Sequence, residues 1–79
     1  MSTQKTFGEK LVGIDFNPSG DENVRRVKEL SAELADILYL HMKKTPSTIG
    51  GGVREILYED SICELLKAQM CIVKVLTFK

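Results

Sequence analysis

The sequence predicts an all-α protein: an antiparallel helical hairpin with an extended N-terminal arm, assembled into a homo-oligomer. Three observations carry this. Residues 21–44 lack Gly and Pro and repeat apolar side chains at helical spacing. A cluster of Thr, Pro, Ser and Gly interrupts the pattern at 45–52. Residues 53–78 then resume a helical pattern, again without Gly or Pro, and are apolar on more than one face.

The arm comes first, over residues 1–17. Met1 to Lys10 is polar and shows no periodicity, and Leu11 to Phe16 is a short apolar patch, either a strand-like arm or a packing segment. Asn17-Pro18-Ser19-Gly20 then punctuates the chain. Pro18 disfavours helix at Asn17, and Ser19 stands three residues before Glu22, the spacing of a capping box. The first helix is therefore placed at 19–44. Its apolar series is Val24, Val27, Leu30, Leu34, Ile37, Leu38 and Met42, widened by Ala32, Ala35 and Leu40. Asp21 and Glu22 at its start and Lys43 and Lys44 at its end suit the helix dipole.

The loop at 45–52 has a length that connects antiparallel helices. In the second helix, 53–78, one stripe is Val53, Ile56, Cys63, Leu66, Met70 and Val73, and a neighbouring one is Ile62, Leu65, Ile72 and Leu76. Cys71 to Phe78 is β-branched enough to form a strand. Helix is preferred there because the upstream pattern runs into it unbroken. A single partner helix cannot cover both stripes, and self-association is the economical way to bury the rest.

Size points the same way. A chain of 79 residues is one domain with a small core, and such domains lean on disulfides, a metal or oligomerisation. Its two cysteines, Cys63 and Cys71, match no metal spacing. On one helix they stand ~12 Å apart along the axis, too far for a bridge. They read as core thiols of a reducing cytoplasm.

Eleven Lys plus Arg balance eleven Asp plus Glu. Without a basic footprint, duplex DNA or RNA is not an expected partner. No signal peptide or membrane span is expected either, because no apolar run approaches ~18 residues.

Tests for chemistry favour binding over catalysis. His41 is the single histidine and has no ligand-spaced Cys or carboxylate cluster, so it reads as a surface or interface residue. Glu59 and Asp60 are adjacent, and neighbours on a helix diverge. Gly50-Gly51-Gly52 precedes a helix and is a flexible turn or, alternatively, a source of amides for a phosphate. Gln69 and Lys74 either face solvent or line a polar pocket at a subunit junction. Arg25, Arg26 and Lys28 form a solvated face, or Lys28 shares one site with Phe16. No enzyme, metal or cofactor is expected.

The order and spacing of two blocks add a resemblance. Phe16-Asn17-Pro18-Ser19-Gly20 leads into Val24, Val27, Lys28, Leu30, Ala32 and Leu34, and later come Gln69, Met70, Val73, Lys74 and Thr77. Over roughly Phe16 to Thr77 the chain resembles a phage family, the second-type anti-CBASS proteins, which are sponges for cyclic oligonucleotides. Their helical hairpin is shared with part of the first-type anti-Thoeris proteins. The resemblance implies a compact homohexamer in the cytoplasm of the infected bacterial host. It implies sequestration, without cleavage, of cyclic dinucleotides such as 3′,3′-cyclic GMP–AMP between subunits, with cyclic trinucleotides in separate pockets.

Carried onto this chain, Phe16 becomes the base-stacking aromatic, where relatives often have tyrosine. Asn17 and Ser19 become polar contacts, with Arg25 and Gln69 beside them in the ligand-binding set. Lys28 becomes the phosphate cation. Lys74 and Thr77 are assigned to the trinucleotide pocket, where relatives often carry arginine and a lysine loses the bidentate fork. The alternative, from a different class, is an oligomeric helical protein-interaction module with no nucleotide ligand.

Overall fold

Three helices form among the residues described by a computed structural model, 4–45 and 52–78: α1 (Phe7–Val12), α2 (Glu22–Lys44) and α3 (Val53–Thr77). No strand occurs among these residues. The fold is all-α, and the β-branched C-terminus is helical to Thr77.

The N-terminal segment is not an extended arm; it holds α1. Thr6 accepts from the amide of Glu9 at 3.1 Å, and the Glu9 carboxylate accepts from the amide of Thr6 at 2.9 Å. That reciprocal pair satisfies two free donors of a nascent helix. Gly13 ends the helix with φ of 63°, a left-handed residue that Gly adopts without a Cβ penalty. The amide of Ile14 then reaches the carbonyl of Glu9 at 3.0 Å. Leu11 to Phe16 is consequently a packing segment, with Val12 and Ile14 both buried.

The expected Ser19–Glu22 capping box is also absent. Gly20, at φ 67°, turns the chain between Ser19 and the helix. Ser19 Oγ instead donates to Asn17 Oδ1 at 2.7 Å and accepts from the Asp21 amide at 3.2 Å. Asp21 is the N-cap, accepting from the Asn23 amide at 2.7 Å, so the helix begins at Glu22 rather than at 19.

α2 buries a different face from the one its bulky residues suggest. Val24, Lys28, Ser31, Ala32 and Ala35 are buried, whereas Leu30, Leu34 and Ile37 are exposed. The small residues decide this, because they let α1 lie directly on the helix. A Cβ on Gly8 would stand 2.0 Å from the Ala32 carbonyl oxygen. Asp36 accepts from the Gly8 amide at 2.7 Å, and Phe7 stacks on Tyr39 with centroids 4.6 Å apart.

α3 contacts α2 and touches α1. Its covered stripe is Tyr58, Ile62, Leu65, Leu66, Gln69 and Val73, with Gln69 the most buried at 4% exposed. This stripe runs between the two that the apolar pattern marked out, and it leaves Val53, Ile56, Met70 and Ile72 exposed. Cys63 and Cys71 are free and exposed, not core thiols. The whole body measures 49 × 34 × 13 Å, too thin to enclose any helix on all sides. Residues 46–51, which include Gly50 and Gly51 of the glycine run, lie outside the described residues. Gly52 itself is the N-cap of α3.

Candidate functional site

The Gly13–Ser19 turn, the start of α2 and the C-terminal half of α3 enclose a cleft of about 720 Å³. Its formation follows from local sequence. Gly13 reverses the chain after α1, and the amide of Phe16 closes a turn onto the Gly13 carbonyl at 2.8 Å. Asn17 Nδ2 then donates to the Asp21 carbonyl at 3.0 Å, which ties the turn to the first residues of α2.

Lys28 reaches this turn from α2. Its ammonium donates to the carbonyl of Gly13 at 3.0 Å and to that of Phe16, and it lies 5.4 Å from the centre of the Phe16 ring. The residue is 6% exposed, and burial lowers its pKa from the ordinary lysine value. An ammonium carries three N–H donors, so one is left after the two carbonyls. The same lysine therefore holds the turn and lends positive charge to the cleft.

Six of the eight residues assigned from sequence line this one cleft: Phe16, Asn17, Ser19, Lys28, Gln69 and Thr77. Phe16 is 71% exposed and stands at the rim as an uncovered aromatic. Thr77 lines the cleft, and its hydroxyl donates to the Val73 carbonyl at 2.9 Å, which leaves it only acceptor capacity. Gln69 is buried in the α3 wall.

The other two residues lie elsewhere. Arg25 packs on the outside of the turn, 3.4 Å from the Ile14 carbonyl, 3.4 Å from Glu29 and 3.9 Å from Asp15. Lys74 is exposed on the last turn of α3 and does not line the cleft. Lys74 lies three residues before Thr77 on the same helix, so the two are neighbours on its surface, and of the pair Thr77 alone lines the cleft.

Sequence reasoning missed the apolar walls. Leu11, Val24, Leu66, Met70 and Val73 line the cleft, although their periodicity marked most of them as helix-packing residues. Nothing in the pattern separates a wall facing a cleft from one facing another helix. Among the described residues, no group of three or more His, Cys, Asp or Glu is placed to hold a metal ion. No helix there is long and apolar enough to cross a membrane.

No protein-family model matches this chain, and neither the curated proteins nor the solved structures contain a significant match to it.

Proposed function

We propose that this protein binds cyclic oligonucleotide second messengers in the α1–α2–α3 cleft and holds them without cleaving them. The observation that carries the reading is the chemical make-up of the cleft. One rim bears an exposed aromatic, Phe16, with Asn17 and Ser19 beside it, the floor bears a buried cation, Lys28, and the α3 wall is Leu, Met and Val with the amide of Gln69 and the hydroxyl of Thr77. A cyclic dinucleotide offers flat bases and phosphates in one compact ring. Such a ligand wants an aromatic or apolar shelf for a base and a cation or amide donors for a phosphate. The chain's resemblance to phage second-type anti-CBASS proteins points to the same ligand class. On this reading the protein disarms a cyclic-nucleotide defence from within the host cytoplasm.

The assembly belongs to the proposal. Arg54 at the start of α3 donates to Thr45 at the end of α2, while Leu66, Gln69 and Val73 share the cleft with Val24 and Lys28. These contacts support an antiparallel hairpin of α2 and α3. The uncovered apolar residues of both helices support a homo-oligomer, with a hexamer as the expected number. In it, copies meet beside the cleft and pair one half of a two-fold ligand with each subunit. Cyclic trinucleotides are the further extension, with Lys74, which stands outside the cleft, and Thr77 assigned to a separate pocket between subunits.

Isothermal titration calorimetry with 3′,3′-cyclic GMP–AMP tests the core of this. Tight binding, followed by recovery of the intact ligand from denatured protein, is the expected result. Recovery of a cleaved product would replace sequestration by catalysis. Silence with this ligand and with cyclic tri-adenylate would favour a helical interaction module, to which the apolar walls lend themselves as a groove for a partner helix.

A further inference from the structure

Gln69 is a polar group for which the described fold itself has no use. It is 4% exposed, in a wall otherwise made of Leu66, Met70 and Val73. Among the described residues its side chain makes no hydrogen bond, although buried amides are ordinarily paired. Yet no fully sealed side-chain nitrogen or oxygen there lacks a partner. The amide of Gln69 therefore meets open space, and the space that Gln69 lines is the cleft. An apolar residue would fill the wall without leaving a donor and an acceptor unused.

Resting on the nucleotide reading above, we infer that Gln69 is the residue that reads the edge of the bound base, and that it reads adenine and guanine alike. A primary amide places one acceptor beside two donors. Unstacked bases are recognised on their Watson–Crick and Hoogsteen edges. Adenine presents a donor at N6 beside an acceptor at N1 or N7. Guanine presents a donor at N1 beside an acceptor at O6. Both are matched by one amide, because a half-turn about its last side-chain bond exchanges donor and acceptor. Of the other polar side chains lining the cleft, Asn17 Nδ2 is engaged by the Asp21 carbonyl, the Ser19 hydroxyl by Asn17 Oδ1, two Lys28 donors by the Gly13 and Phe16 carbonyls and the Thr77 hydroxyl proton by Val73. The cleft thus accepts either purine, a useful property for a protein that must hold signals of differing base content.

The test compares cyclic di-AMP with cyclic di-GMP on the full chain by calorimetry. The wild type binds both with affinities within a few-fold of each other. Gln69→Leu keeps the wall apolar and weakens both, each by at least about tenfold, the scale of one lost pair of base-edge hydrogen bonds. Gln69→Glu offers acceptors only, and so pairs with the adjacent N1 and N2 donors of guanine but with only one donor of adenine. It shifts the preference towards cyclic di-GMP. If the buried carboxylate prevents folding, Gln69→Met replaces it as a second apolar variant and must weaken both ligands as Gln69→Leu does. Full affinity in the apolar variants, or a folded Gln69→Glu protein with unchanged base preference, overturns the role of Gln69 while leaving nucleotide binding intact. Failure of the wild type to bind either ligand overturns the nucleotide reading, and this inference with it.

Discussion

The ammonium of Lys28 donates a 3.0 Å hydrogen bond to the carbonyl of Gly13, fifteen residues earlier in the chain. Together with its bond to the Phe16 carbonyl, this contact fixes both ends of the turn that forms one rim of the cleft. Charged donors make the stronger hydrogen bonds, about 1.5–3 kcal/mol each, but burying the charge offsets part of that. Lys28→Met removes both terms and should destabilise the fold by a net amount of about 1–2 kcal/mol. Urea unfolding measures it directly. A variant as stable as the wild type would mean that the turn holds itself and that Lys28 is present for the ligand alone.

The pH dependence of that contribution has a definite sign. Burial lowers the Lys28 pKa below its ordinary 10.5. At neutral pH the lysine is protonated in both folded and unfolded chains, and the folded state carries the full cost of the buried charge. Between the folded pKa and 10.5 the native lysine is neutral while the unfolded one still binds a proton, so stability rises with pH in that window. Unfolding midpoints of wild type and Lys28→Met, followed from neutral pH to just above 10.5, should show the wild type gaining relative to the variant. A relative loss would show that the folded chain favours the ammonium over the neutral amine, against the lowered pKa.

Gly8 is the point of closest approach between α1 and α2, and Ala is too large there. The added methyl would stand 2.0 Å from a backbone oxygen, that of Ala32, which cannot swing aside like the end of a side chain. Gly8→Ala should lift α1 and cost about 2–3 kcal/mol, near the upper end of overpacking changes. It should also release the Phe7–Tyr39 stack, which near-ultraviolet circular dichroism reports. An unchanged spectrum and midpoint would mean that α1 has a second, equally good seat on α2.

The sequence carried the two long helices clearly, because their periodic patterns extend for many turns without Gly or Pro. It did not announce α1, whose residues read as part of an arm: Thr6 and Glu9 stand at capping-box spacing and Gly13 can stop a helix, but six residues are too few for periodicity to show one. The buried faces were harder to read. Bulky Leu30, Leu34 and Ile37 look like a core stripe, and Ala32 and Ala35 look like filler, yet the small residues lie buried because a glycine presses on them. Of the six cleft residues, Phe16, Lys28 and Gln69 were legible as aromatic or polar departures from the apolar pattern, while Asn17, Ser19 and Thr77 came only with the family resemblance. Arg25 was not distinguishable from them by type, and only its position beside Asp15 and Glu29 takes it out of the cleft.

The exposed apolar face of α2 predicts the assembly state. Leu34 and Ile37 are 54% and 64% exposed, and α3 adds Val53, Ile56 and Val75 to the uncovered surface. Exposed large apolar residues in such number on a small chain mark association sites. Light scattering coupled to size exclusion should find the wild type as a defined oligomer and the double variant Leu34→Glu, Ile37→Glu as monomer or dimer. A monomeric wild type would remove the homo-oligomer from the proposal and leave the cleft open on one side.

Phe16 separates a binding role from a folding role more cleanly than any other residue. It is 71% exposed, and its backbone, not its ring, carries the contacts to Gly13 and Lys28. The ring lies beside the Lys28 ammonium, 5.4 Å from its centre, a contact worth about 0.5–1 kcal/mol at an exposed site. Phe16→Ala should therefore shift the unfolding midpoint little, within about 1 kcal/mol. Loss of a base-stacking platform costs about 1–3 kcal/mol per base, so the same variant should raise the dissociation constant for 3′,3′-cyclic GMP–AMP by about five- to 150-fold. Phe16→Tyr keeps the platform and should bind as the wild type does. Equal affinity in Phe16→Ala and wild type would move the base away from this rim and onto the apolar wall around Met70. A large loss of stability would instead make Phe16 part of the subunit contact, since its side chain is mostly uncovered within one copy.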